Sequence, residues 1–416
     1  MYSPVQADFI QTTIDDDKSD VFVFDAGIGA GKGHGAARGI LLFLNDNYPF
    51  GTPPNWKYGL MGQTVSTALS IQVGELRAAA HEIGLKVRGS NPFYIGPWAF
   101  LVFGGSARAN WDTLFGENLI GCWIDEVHKL QRQAVDLCLS RSRVGHRQLN
   151  IMTSNATAPN HWFKTDFVDN PKYPRFTDIV DNNPGIADNV KRRYHEMFSG
   201  VFHRRYVMHE YIAGEGLIYP THTTTEPHEY QRYTIAIDPG YSNTFAALLI
   251  GRCIKCAAWH CADEYYYQQG KRGPRTPEQH FDAIERKFAD YSPVTQVVVD
   301  SADSGFYNIL RYKGWQPRYA NKDVLRGIQA TDYALSHGKV LIDANCRELL
   351  GELSGYVWDD KASERGEDKP VKSNDHLADC LRYFIMLEMP RPHTPQSGWQ
   401  NDGLDEWYEI TRQSRP

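Results

Sequence analysis

Residues 21–33 read Val21-Phe22-Val23-Phe24-Asp25-Ala26-Gly27-Ile28-Gly29-Ala30-Gly31-Lys32-Gly33. A short apolar run closed by an aspartate and a glycine-rich turn is the pattern of a buried strand entering a loop. From Ala36 to Leu44 the spacing turns helical. Strand, glycine-rich turn and helix in that order are the context a phosphate-cradling P-loop needs. Glycines at 27, 29 and 31 let backbone N–H groups face the phosphates of ATP, and the helix N-terminus adds partial positive charge. Lys32 is placed to reach the β- and γ-phosphates, with Gly33 beside it. Two positions depart from G-x-x-x-x-G-K-[ST]. Ala26 stands at the first glycine, and Gly33 stands at the hydroxyl, which removes one expected Mg²⁺ ligand.

Two further apolar runs lie outward of this stretch. Leu119–Ile124 ends at Asp125-Glu126, and Leu149–Thr153 ends at Ser154-Asn155. Strands alternating with helical stretches predict a mostly parallel sheet covered by helices on both faces. Ligands of such sheets gather at the carboxyl ends of the strands. The acid pair fits a Walker B strand: Asp125 to hold Mg²⁺, through water, and Glu126 to orient and deprotonate an attacking water.

The second half repeats the theme with carboxylates. Tyr233–Ile237 leads into Asp238-Pro239-Gly240, with Phe245–Ile250 as its hairpin partner. Pro277–Asp290 reads as a helix, Val297–Val299 as a strand ending at Asp300. Leu377, Leu381 and Phe384 keep helical spacing near the end. Asp238, Asp300 and either Asp375 or Asp379 thus sit at element ends. A phosphodiester-cleaving site needs several carboxylates converging on two Mg²⁺ or Mn²⁺ ions ~3.5–4 Å apart. The order strand-Asp, hairpin, helix, strand-Asp, helix-Asp is that of an RNase H-like fold. Asp375 and Asp379, four residues apart, are expected on one helix face. The expected division is a P-loop ATPase domain over 1–195, a linker over 196–230, a nuclease domain over 231–390, and a loose Pro- and Ser-rich tail over 391–416.

A net charge of -6 argues against a nucleic-acid coat, though not against an enzyme that holds DNA in a local groove. Basic clusters at Arg141, Arg143 and Arg147, and at His203, Arg204 and Arg205, are ordinarily solvated faces. Seven scattered cysteines fit a reducing cytoplasm better than a disulfide framework. Cys253, Cys256, His260 and Cys261 are zinc-ligand types close together. Their place in a strand-like run, Ala246–Ala258, without a turn glycine weighs against a metal. No run approaches the ~18 apolar residues of a membrane span, and the N-terminus lacks a signal-peptide pattern.

Taken in order, these motifs resemble the large terminase subunit of tailed bacteriophages over nearly the whole chain. Ser3-Pro4-Val5-Gln6 is similar to that family's adenine-contacting motif, and Lys32 and Asp125-Glu126 to its Walker residues. Thr153-Ser154-Asn155 is similar to its coupling motif, and Asp181–Pro184 and Gly214–Pro220 to its linker segments. Asp238-Pro239-Gly240, Val299-Asp300-Ser301 and Asn374–Tyr383 resemble its nuclease motifs. The resemblance implies ATP-driven translocation of double-stranded DNA into a procapsid and metal-dependent cutting of genome concatemers. It implies a portal protein and a small terminase subunit as partners. It implies a ring, of five subunits when docked and a monomer in solution, in the host cytoplasm and transiently at the portal vertex. Arg141 or Arg143 is then a candidate arginine finger acting across a subunit boundary. Ile28, where many relatives carry arginine, and Gly33 depart from the family pattern. They leave a second reading, a resolvase-like DNA nuclease with a degenerate ATPase module.

Overall fold

A computed structural model describes residues 2–106, 111–240 and 244–389; the tail expected over 391–416 lies outside the described residues. Eight strands form the first sheet: β1 (Val21–Asp25), β2 (Lys57–Gly62), β3 (Val87–Gly89), β4 (Phe93–Ile95), β5 (Trp98–Gly104), β6 (Leu119–Asp125), β7 (Leu149–Ser154) and β8 (Arg175–Phe176). Their order is β3-β4-β5-β2-β6-β7-β1-β8. The neighbours from β5 to β8 are parallel, and β3-β4-β5 is an antiparallel meander at one edge. Such strands are covered on both faces, so they read as continuous apolar runs rather than alternating ones. On one face Phe22, Phe24 and Trp123 pack with Phe9, Ile40, Leu44 and Leu76. On the other, Val23, Ile124 and Met152 pack with Val135, Cys138 and Phe163. The register pairs Asp25 with Ser154 and Asp125 with Thr153. Parallel pairing thereby brings three polar strand ends, far apart in sequence, to one edge.

The second sheet contains β9 (Thr224–Thr225), β10 (Tyr230–Asp238), β11 (Thr244–Cys253), β12 (Trp259–Gln268), β13 (Val294–Val299), β14 (Pro317–Tyr319) and β15 (Val340–Asp343). The order is β14-β13-β10-β11-β12-β15-β9. β10, β11 and β12 form an antiparallel meander, while β13 runs parallel to β10 and β15 parallel to β12. The helix His376–Glu388 covers one face, with Leu377, Leu381 and Phe384 in one core with Leu248 and Val298. The helices Pro277–Lys287 and Ser304–Tyr312 cover the other through Phe281, Ile284 and Leu310. This is the expected α/β architecture of a P-loop sheet followed by an RNase H-like sheet. Val180, Tyr194, Met197, Phe198, Phe202 and Val207 belong to the second sheet's core, so apolar packing runs across the expected division at 195/196. No helix among the described residues is long and apolar enough to cross a membrane.

Several local expectations change. The run Ala246–Ala258 is not one strand: β11 ends at Cys253, and the chain turns with Ala257 at φ 54° before β12. Asp375 lies just outside its helix as the N-cap, one turn below Asp379. Two arginines of the basic clusters are structural. Arg147 donates to the carbonyls of Thr13 (2.9 Å) and Ile14 (2.7 Å), closing the helix Pro4–Asp15. Arg205 is buried and forks onto Asp368 at 2.6 and 2.9 Å.

Candidate nucleotide and metal sites

The loop between β1 and the helix Lys32–Asn47 is shaped by close approaches. Gly31 has φ 86°, and a Cβ there would lie 2.0 Å from Gln6 Nε2, so only glycine fits. Gln6 is buried and engaged at both ends of its amide: its Oε1 accepts from Ser3 N (2.8 Å) and its Nε2 donates to Gly31 O (3.1 Å). Gly27 N donates to Asp178 O (2.8 Å), and Ile28 N donates to Tyr206 O (2.6 Å). Asn183 Nδ2 donates to Gly29 O at 2.7 Å. Gly31, as N-cap, supplies no side-chain cap. The first-turn N–H groups at Lys32, Gly33 and His34 therefore remain available to an anionic ligand.

Lys32 Nζ donates to Ala26 O (2.8 Å), Gly27 O (2.9 Å) and Asn155 Oδ1 (2.7 Å). Asn155 Nδ2 in turn donates to Glu126 Oε1 at 3.2 Å. Asn155 thus ties the P-loop lysine to the acid expected to handle water. Thr153 Oγ1 donates to Asp125 Oδ1 at 2.6 Å and itself accepts from Trp123 Nε1 at 2.9 Å. Burial and the adjacent Glu126 push the Asp125 carboxyl up, against Thr153 and Lys32. Burial also acts on Glu126, but Lys129, His128 and Lys32 outweigh it and hold that carboxyl down. Glu126 is kept at φ 53°, an uncommon conformation for a non-glycine residue, and aims its carboxylate at Asn155 and Lys129. Gly33 leaves room: a Cβ there would meet nothing nearer than Glu75 Cγ at 3.5 Å.

Arg141 and Arg143 sit elsewhere. Arg143 N donates to the carbonyl of Leu119, the first residue of β6, and its guanidinium donates to Asn118. Asp125 ends the same strand six steps on, ~20 Å away at ~3.3 Å per residue. Arg141 ends its helix, with its guanidinium over the Phe115 ring. A finger role for either requires a neighbouring subunit that presents its nucleotide to this edge.

The carboxylates of the second half gather where β10, β13 and the helix His376–Glu388 meet. Asp238 ends β10, and Asp300 follows β13. Asp238, Asp300 and Asp379 are each countered by a cation or donor. His376 Nδ1 lies 2.8 Å from Asp238 Oδ2, Lys322 pairs with Asp300, and Arg382 reaches Asp379 at 2.7 Å. Tyr383 OH lies 3.3 Å from Asp300 Oδ2 and 3.5 Å from Asp379 Oδ2, tying those two together. Burial raises Asp238 and Asp375, and neighbouring carboxylates raise both further. Among the described residues, no three of these carboxylates lie within 4.8 Å of one another. An all-oxygen donor set fits Mg²⁺ or Mn²⁺.

Residues 257–388 match the family model described as "Terminase RNaseH-like domain". Over 155 residues the chain is 31% identical to the large terminase subunit of Escherichia phage T5, a match covering 36% of this chain and 34% of that relative. The structure of a large terminase from a thermophilic bacteriophage superposes with a TM-score of 0.84 at 28% identity, covering 92% of this chain and 98% of that one. The chain is similar in sequence and fold to the phage large terminases. The same thermophilic phage's terminase has also been solved with ADP (TM-score 0.81, 27% identity) and with ATP-γ-S (0.81, 28%), again over 92% of this chain and 98% of that one.

Other polar residues of this terminase-like site were not singled out from the sequence. His128 Nδ1 lies 2.9 Å from Ser154 Oγ, and its Nε2 is 3.7 Å from Glu126. Its place two residues past Glu126 was an available signal. Glu352 is buried and accepts from the backbone N–H groups of His376 (3.2 Å), Leu377 (2.7 Å) and Ala378 (2.9 Å). It anchors the end of the helix that carries Asp379. Lys322 and Glu352 follow no local pattern, because tertiary packing alone brings them to the site.

Proposed function

We propose that this chain is a large terminase subunit that hydrolyses ATP to drive double-stranded DNA into a procapsid and cuts concatemeric DNA with its second half. The observation that carries the reading is the chain Lys32–Asn155–Glu126, with Asp125 held by Thr153, at one sheet edge. In it, Lys32 and the first-turn N–H groups bind phosphate, and Glu126 orients the attacking water. Asn155 reports the state of the phosphate to Glu126. Mg²⁺ held by Asp125 through water would neutralise phosphate charge. In the second half Asp238, Asp300, and Asp375 or Asp379 would hold two Mg²⁺ or Mn²⁺ ions, which activate water and stabilise the leaving oxygen.

The remaining expectations follow from the same reading: a portal protein and a small subunit as partners, a pentameric ring when docked, and action in the host cytoplasm at the portal vertex. The degenerate-ATPase alternative rests on Gly33; the connected Lys32, Asn155 and Glu126 favour a working site over it. The test has two arms on the full-length chain. Lys32→Ala should abolish DNA-stimulated ATP turnover while plasmid nicking in Mn²⁺ persists. Asp238→Asn should abolish nicking while ATP turnover persists. ATP turnover that survives Lys32→Ala, or nicking that survives Asp238→Asn or EDTA, refutes the corresponding half.

A further inference from the structure

At the end of the second sheet away from Asp238, four side chains converge that neither reaction uses. Cys253 ends β11, Cys256 lies in the turn, His260 is on β12, and His228 comes from the segment just before β10. One ligand atom from each lies within 4.8 Å of all the others. His228 Nδ1 is 3.2 Å from Cys253 Sγ, and His260 Nε2 is 3.3 Å from Cys256 Sγ. Tetrahedral zinc with two sulfur and two nitrogen ligands sets donor separations of ~3.3–3.8 Å. The cluster therefore needs only small adjustments.

We propose that His228, Cys253, Cys256 and His260 form a structural zinc site. Three features beyond proximity support it. Each histidine turns one ring nitrogen to a thiol and the other to an oxygen partner. His260 Nδ1 lies 2.9 Å from Asp343 Oδ1, and His228 Nε2 lies 3.5 Å from Thr225 Oγ1. An outer carboxylate of this kind fixes the tautomer and orientation of a zinc-bound imidazole. Asp343 is itself held by the Tyr230 hydroxyl. Second, Cys256 N–H points at Cys253 Sγ (3.4 Å), a turn in which the backbone donates to a ligand sulfur. Third, the spacing Cys253-x-x-Cys256 sits in a hairpin turn, with left-handed Ala257 in place of the missing glycine. Cys261, grouped with these residues in sequence, is excluded. It is buried in the core, and its carbonyl accepts from Cys346 Sγ at 3.2 Å. Two thiolates balance the charge of Zn²⁺, and binding releases the two thiol protons. The site closes a joint, because His228 lies on the chain entering β10 while the other ligands belong to the β11–β12 hairpin. Zinc would clamp that entering segment to the nuclease sheet.

The experiment uses the full-length chain purified from zinc-replete cells. Elemental analysis should find stoichiometric zinc. It should be retained in Asp238→Asn and in Cys261→Ala, and lost in Cys253→Ser/Cys256→Ser. Cobalt(II) exchanged into the wild-type chain should give thiolate-to-cobalt charge-transfer absorption, a readout that survives even if the double variant folds poorly. Loss of the metal should lower Tm by roughly 5 °C. The proposal is overturned by zinc-free wild-type protein that also shows no cobalt–thiolate band. A Cys253–Cys256 disulfide in protein purified under reducing conditions would overturn it equally, as would zinc that follows Asp238 or Cys261.

Discussion

Glu352 offers a quantitative test of how the nuclease carboxylates are held. Its side chain is 5% exposed, and burial pushes its carboxyl from the ordinary 4.5 to about 7, against the N–H groups of Ala378 and Leu377 and against His376. The folded state therefore holds this proton to higher pH than the unfolded chain does. Its stabilising effect is complete below about pH 4.5 and is lost as pH rises through about 7. At about 1.4 kcal/mol per pH step the swing is roughly 3 kcal/mol. For a domain of 150–250 residues that is ~6–12 °C in Tm. Glu352→Gln removes the titration. Its carbonyl can keep the bonds to Leu377 and Ala378, and its amide loses the one to His376, at a cost of about 1 kcal/mol. The variant should be slightly less stable than wild type at pH 5 and about 2 kcal/mol more stable at pH 8. Asp238, Asp375 and His376 also titrate nearby, so the difference between the two melting curves across pH, measured in EDTA, is the quantity to read. Parallel curves, with no crossing between pH 5 and 8, would refute the assignment.

Gly33→Ser should tighten Mg²⁺·ATP binding up to about tenfold, roughly 1.4 kcal/mol. The site has room for the side chain, with its nearest neighbour at 3.5 Å; a Mg²⁺ titration of ATP turnover identical to wild type would count against this. Asp25 is wholly buried and accepts from Tyr211 OH (2.6 Å), His209 Nε2 (3.2 Å) and Arg175 (3.3 Å). Burial raises its carboxyl, but those partners outweigh it and hold it below its usual range. Asp25→Asn should cost about 3–5 kcal/mol at neutral pH. That stability is present above the unfolded carboxyl's value of about 3.9 and lost as pH falls through the lower folded value, so the deficit should shrink in acid. A variant that melts with wild type at pH 7 would show that the network carries no net stabilisation.

What the sequence made legible follows from the parallel sheet. Val21–Asp25, Leu119–Asp125 and Leu149–Ser154 are buried on both faces, so they appear as apolar runs with polar ends, and parallel register aligns those ends. The same logic exposed Asp238 and Asp300. The partners that set the charge of these sites were hidden. Lys322 lies 22 positions past Asp300, and Glu352 acts through a helix end 24 residues downstream. His228 lies 25 residues before Cys253, in the segment that leads into β10, so a window centred on the cysteines picked Cys261 in its place. Arg205 looked like solvated charge because its partner, Asp368, is 163 residues away.

The contact between residues 206–207 and the P-loop has a mechanical consequence. A Cβ on Gly27 would meet Val207 O at 2.9 Å and Tyr206 O at 3.1 Å, and Ile28 N is bonded to the second of these carbonyls. The bond from Ile28 N to Tyr206 O, at 2.6 Å, leaves the two backbones little slack. Residues 180–207 are also packed into the core of the nuclease sheet. On the proposed reading, a displacement of the loop on nucleotide binding would pass by backbone contact into residues packed with the second sheet.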